Sequence, residues 1–148
     1  MDKWYWANPE SVAFLQKGYL QEGQTVQQRV MQIAQRAEQI LGEVGFADKF
    51  YDNMAKGWYS LASPVWSNYA TTRGFPVSCF GSYIDDSMES ILFSHAENGM
   101  LMKNGGGTSG YFGALRPRGS TITGNGQSSG AVHFMKLFDS LADVVSQG

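Results

Sequence analysis

The chain has a single cysteine, Cys79, in 148 residues. No disulfide can therefore close within it. Histidine is nearly as scarce, with only His95 and His133. Three such side chains make a poor stock of metal ligands, so no metal site is expected. No apolar run is long enough to span a bilayer. The opening "MDKWYWANPE" lacks the basic flank and apolar stretch of a signal peptide. Neither sign of charge dominates: 11 Lys and Arg against 13 Asp and Glu leave a net charge of −2. That balance removes any general attraction to nucleic acid or to an acidic membrane. Together these shortages predict a soluble cytoplasmic protein with neither nucleic acid nor membrane as partner.

What is present reads as a folding chain. Hydrophobic residues make up 43% and aromatics 14%, enough for a core at this length. There is no internal repeat and no disordered linker. "ANPESVAFLQKGYL" predicts a short first helix. "GQTVQQRVMQIAQRAEQILGEVG" predicts an amphipathic one, with Val26, Val30, Ile33, Ala34, Ala37, Ile40 and Leu41 at helical spacing. Thr25 and Gln28 form a capping box and Gly42 supplies the stop. "FADKFYDNMAKGWYSL" puts Phe46, Phe50, Met54 and Trp58 on one face of a third helix.

The character changes at "SPVWSN", where Pro64 is expected to block helix and to bias Ser63 toward extended geometry. This sets a division into a helical region, 1–62, and a second region, 63–148. "FPVSCFGSYI" reads as a strand with Phe75, Val77, Cys79, Gly81 and Tyr83 on one face and Ser78 on the other. "DDSMESILFSHAENGMLMKN" is the next helix, with Asp86 as its expected N-cap and Asn104–Gly105 as its end. The last helix is "SSGAVHFMKLFDSLADVVSQ", opened by Ser128 or Ser129. His95 and His133 read as ordinary helix residues. One predicted strand cannot make a sheet, and the series stops at "VVSQG", so an incomplete domain is expected.

About a third of the 18 glycines fall in "KNGGGTSGYFGALRPRG", residues 103–119. Gly105, Gly107 and Gly110 spell G-x-G-x-x-G. A dinucleotide fingerprint needs a strand before it and a helix after it. Here a helix precedes, and Pro117 and Gly119 oppose a helix after. No lysine follows in the position a P-loop requires. The glycines suit either a tight packing corner or a backbone wall that a ligand approaches closely. Arg116 and Arg118 suit either a phosphate contact or a solvated surface pair.

Taken in order, "SPVWSNYATTRGFPVSCFGSYIDDSMESI", "NGGGTSGYFGALRPRG" and "SSGAVHFMKLFDSLADVVSQG" resemble the catalytic large subunit of ribonucleotide reductase, nearest the aerobic class I type. The resemblance runs from about Trp4 to Gly148. It implies an α/β fold: a helical N-terminal region followed by the first part of a ten-stranded α/β barrel, incomplete in this chain. It implies replacement of a ribonucleotide 2′-hydroxyl by hydrogen, through a thiyl radical and a redox-active cysteine pair. Cys79 matches the first cysteine of that pair. Ser63 and Ser78 match positions that hold substrate ribose and phosphates, and Gly107 a glycine whose backbone lies against substrate. Asp86, Ser87 and Met88 match the start of the specificity-effector site, and Arg116 an arginine on the effector triphosphate. Relatives commonly carry a basic residue where Thr123 stands, a role Arg118 is placed to take.

The resemblance also implies what must come from elsewhere. The radical cysteine, its Asn and Glu partners and the second reducing cysteine belong to a complementary C-terminal large-subunit chain. The expected partners are that chain, a small radical-generating subunit, a ribonucleoside diphosphate, a dNTP or ATP effector, thioredoxin or glutaredoxin as reductant, and a second assembled large subunit in a homodimer. No cofactor is expected on this chain itself; the small subunit's metal supplies the radical. The alternatives are an extein piece of an interrupted large-subunit gene, a catalytically inactive nucleotide-binding or interaction module, and a piece of an adenosylcobalamin-dependent (class II) reductase.

Overall fold

A computed structural model describes residues 3–145. The chain packs as two compact units that divide between Val77 and Ser78.

The first unit is helical: α1 (Pro9–Leu15), α2 (Val26–Leu41), α3 (Phe46–Ala55) and α4 (Ser63–Asn68). The capping box of α2 forms as expected, Thr25 Oγ1 accepting from the Gln28 N–H while the Gln28 amide oxygen accepts from the Thr25 N–H. Gly42 ends the helix in the left-handed region, φ 70°, where a glycine pays no steric penalty. Val26, Val30 and Ile33 bury their side chains with Leu15, Leu20, Met54 and Trp66. The third helix ends sooner than its spacing suggests. Gly57 turns the chain at φ 70°, and Trp58 leaves the apolar face, 71% exposed with the Lys56 ammonium 4.6 Å from its ring centroid.

Pro64 starts a helix instead of preventing one. It occupies the first turn of α4, where the missing N–H would have had no partner anyway. Ala62, with ψ 148°, is the extended residue, and Ser63 is already helical. Residues 63–77 consequently fold with the first unit, and the division expected at 62/63 falls later in the chain.

The second unit holds β1 (Cys79–Tyr83), α5 (Met88–Lys103), β2 (Gly107–Tyr111), β3 (Thr121–Ile122), β4 (Gly126–Gln127) and α6 (Ala131–Val144). The strand expected from Phe75 begins only at Cys79, and Cys79, Gly81 and Tyr83 do share its exposed face. It is not alone. The glycine run supplies β2, parallel to β1 in the register Cys79↔Gly107 through Tyr83↔Tyr111, with α5 as the crossover. "GTSGY" hides this strand because small residues carry little strand propensity. A short antiparallel pair, β3–β4, follows. Ile84, Ile91 and Leu115 form the unit's core, with Phe112, Phe134 and Phe138 against it. Ser128 does not cap α6: Gly130 holds the N-cap position, and the Ser128 hydroxyl accepts from its N–H at 3.0 Å. Among the described residues no helix is long and apolar enough to cross a membrane.

Candidate functional site

The thiol of Cys79 is free and exposed at the start of β1. Its register partner across the parallel pair is Gly107. The Gly107 N–H donates to the Ser78 carbonyl at 2.6 Å, and the Ser78 hydroxyl lies 3.8 Å from the Cys79 sulfur. Three of the expected substrate residues thus meet at one strand end. Ser78 stands just before β1, outside its regular pleat.

The turn into β2 depends on glycine at two positions. Gly105 has φ 85°. A Cβ on buried Gly106 would stand 2.7 Å from the Phe80 ring and 2.9 Å from the Leu101 carbonyl oxygen. The run is therefore a close crossing of backbone over helix end and ring, with a strand following it. It is not the strand–turn–helix of a dinucleotide fingerprint.

A second cluster gathers at the other end of β1. Asp86, Ser87, Met88 and Arg116 line one cavity of about 330 Å³, together with Ile91, Ile122, Asn125, Gln127, Ser128, Ser129 and Phe134. Asp86 is not the N-cap of α5. Ser87 takes that place, its hydroxyl accepting from the Ser90 N–H. Asp86 instead receives Arg116 twice: the backbone N–H at 3.1 Å on one oxygen and Nε at 2.7 Å on the other. The backbone bond first, and then the guanidinium, hold the Asp86 carboxyl below the usual carboxylate range. This clamp orients a partly exposed guanidinium at the cavity rim, and its Nη1 donates to the Thr121 carbonyl at 3.4 Å.

Asn125 and Gln127, at the turn and in β4, went unnoticed in the sequence, and Ser128 reads there only as a helix opener. Their signal was the run of turn formers in "TGNGQSS", which predicts a loop without saying what it faces. Arg118 does not join this cavity. It lines a separate one of about 610 Å³ with Gly130, His133 and Lys136. His95 sits on α5 with its Nε2 3.2 Å from the Leu137 carbonyl and its ring edge-on to Phe138, a packing role. Among the described residues no three His, Cys, Asp or Glu gather as metal ligands.

Ser63 belongs to the first unit. It stands in the first turn of α4, its hydroxyl 3.4 Å from the Tyr19 hydroxyl.

Comparison with known proteins gives the same order of parts. The family model for the ribonucleotide reductase all-alpha domain matches residues 6–74, and that for the ribonucleotide reductase barrel domain matches residues 77–148. The solved Actinobacillus ureae class Id ribonucleotide reductase alpha subunit aligns with 100% of this chain at 53% identity and a TM-score of 0.90. The vitamin B12-dependent ribonucleotide reductase of Streptomyces clavuligerus is 38% identical over 91 residues, 61% of this chain and 10% of that protein. The ribonucleoside-diphosphate reductase subunit alpha of a Synechocystis strain is 34% identical over 104 residues, 70% of this chain. The chain spans 28% of the solved relative and 14% of the Synechocystis one.

Proposed function

The chain belongs to the ribonucleotide reductase family, matching the N-terminal part of its large subunit, and from that premise we propose that it contributes three things to an assembled reductase. Cys79 is one of two reducing thiols. Ser63, Ser78 and Gly107 contact the ribonucleotide. Asp86, Ser87, Met88 and Arg116 form part of a site for a nucleoside triphosphate effector. The observation that carries this reading is the meeting of an exposed thiol with a glycine backbone wall, Cys79 opposite Gly107.

The chemistry suits that arrangement. Replacing a carbon-bound hydroxyl by hydrogen consumes two electrons and releases water. A dithiol supplies them by closing a disulfide: two S–H bonds break, one S–S bond forms, and the hydrogens end on carbon and in water. Cys79 is the chain's only cysteine, so its disulfide partner is supplied by the remainder of the large subunit. Gly107 adds no side chain where the sugar must come close to sulfur, and the Ser78 hydroxyl beside the thiol can hydrogen-bond a ribose or phosphate oxygen. A metal-containing small subunit supplies the radical when bound, and thioredoxin or glutaredoxin reopens the disulfide.

A second reading has its own support, since Streptomyces relatives are named as vitamin B12-dependent enzymes. Reconstitution separates the two. The chain is combined with the remainder of the large subunit and supplied either with a radical-generating small subunit or with adenosylcobalamin. Deoxynucleotide formation only with the small subunit supports the class I reading, and formation only with adenosylcobalamin replaces it with class II. Failure of both, with the complex assembled, leaves the nucleotide-binding module as the account.

A further inference from the structure

Arg29 on α2 is the largest fully buried side chain among the described residues, and the reaction proposed above does not use it. No carboxylate pairs with it among those residues. Its partners are backbone carbonyls at the end of a different helix. Nε donates to Trp66 O at 2.7 Å, and Nη2 donates to Tyr69 O at 2.7 Å and Val65 O at 3.2 Å. Nη1 donates to the Gln32 amide oxygen. A buried guanidinium is costly unless its donors are met. Here the carbonyls at the negative end of α4 meet them; Val65 O also accepts from the Tyr69 N–H, while the fork satisfies the Trp66 and Tyr69 carbonyls that the helix terminus leaves open.

The helix so held is α4, of six residues, with no side-chain N-cap. A helix that short does not sustain itself in water. Gln32 extends the hold, its Nε2 donating to Ala70 O at 3.3 Å, and Ala70 sits in the left-handed region at φ 59°, where non-glycine residues need outside support. Carbonyls 65, 66, 69 and 70 are thus all tied to side chains of α2. Ser63 opens the same helix, and its carbonyl accepts from the Ser67 hydroxyl at 3.0 Å.

We propose that Arg29 is a positioning residue for substrate binding: by gripping the C-terminal carbonyls of α4 it sets the place of Ser63. The inference rests on the reading of Ser63 as a substrate contact. Lysine cannot substitute, because a single ammonium on a flexible stem does not span three carbonyls as a planar fork does.

The test uses the reductase assembled from this chain, the remainder of the large subunit and its radical source. Arg29→Lys, Ser63→Ala and the double variant are compared for kcat and KM of the ribonucleotide. A purely structural role lowers the active fraction, and so kcat, while leaving KM alone. Positioning raises KM instead. Ser63→Ala is expected to raise it about tenfold, as for a lost hydrogen bond to a charged group, and Arg29→Lys by a similar factor. The double variant is then no worse than Ser63→Ala, as for residues acting through one contact. A raised KM in Ser63→Ala with an unchanged KM in Arg29→Lys, or additive effects in the double variant, overturns the inference. An unchanged KM in Ser63→Ala overturns the substrate role of Ser63, and the inference with it. Should Arg29→Lys fail to assemble, Gln32→Leu keeps the guanidinium and removes its Nη1 acceptor and the tie to Ala70. A KM rise of about threefold is then expected, and an unchanged KM overturns the proposal.

Discussion

The main-chain N–H of Gly107 donates to the carbonyl oxygen of Ser78 at 2.6 Å. That bond begins the parallel ladder and brings the glycine run up beside the Cys79 thiol. The residue just before it decides whether the approach is possible, because the Cβ of any other residue at 106 would meet the Phe80 ring and the Leu101 carbonyl.

Gly106→Ala should therefore push β2 away from β1. Overpacking of this kind costs about 1–3 kcal/mol. The expected outcome is a lower Tm of the assembled large subunit and reduced deoxynucleotide formation. A Tm equal to wild type would show that the crossing is loose and that the glycine is not needed there.

Arg116→Ala removes the guanidinium that Asp86 orients at the cavity rim. Affinity for a deoxynucleoside triphosphate should fall about tenfold or more, as for a lost charge-assisted bond. The dimer fraction should fall with it if the effector favours the associated state. Substrate KM without effector should stay near wild type. Calorimetry and sedimentation on the assembled enzyme measure the two effects, and unchanged values in both assign Arg116 to packing.

The same pair sets a pH dependence. The folded-state pKa of Asp86 is depressed, so its contribution is fully present above the ordinary carboxylate value and is lost as pH falls through the lowered one. Stability of the second unit should hold from neutral pH down to the carboxylate range and decline below it. Arg116→Ala should raise the Asp86 pKa only part of the way back, since residue 116 keeps the backbone N–H that is the larger cause. Titration of the Asp86 carboxyl by NMR reads this directly, and a full return to the unperturbed range would contradict the backbone bond.

The helices of the second unit leave apolar side chains in water. Phe93 on α5 is 71% exposed and Val144 on α6 is 82% exposed, with Leu92, Met100 and Val132 also open. Such a surface self-associates. The isolated chain should bind a hydrophobic dye and form concentration-dependent oligomers, and adding the remainder of the large subunit should suppress both. A monodisperse chain that ignores the dye and its complement would contradict an assembled barrel.

Local signals in the sequence were sound where one interaction decides the structure. The capping box at Thr25 and Gln28 and the left-handed Gly42 mark α2 from both ends, because each is satisfied within a few residues. Signals failed where a distant partner decides. Pro64 looked like a break, yet α4 forms around it because Arg29, far back in the chain, supplies donors to its carbonyls. Asp86 and Ser87 are equally good N-caps by type, and only the Arg116 pairing assigns Asp86 elsewhere. The strand in "GTSGY" has no apolar alternation to reveal it, and β1 beside it is what makes it a strand. The candidate residues were legible as an ordered series of motifs, while the cavity around Asp86 was not, since Asn125 and Gln127 carry no marker beyond turn chemistry.

The most direct test of the central claim is deoxynucleotide formed per large subunit by Cys79→Ser in the assembled reductase, with reductant in excess. The account predicts sustained turnover by the wild-type chain and substoichiometric product from the variant, because the 2′ carbon loses one of its two reducing thiols. Sustained turnover by Cys79→Ser would contradict it.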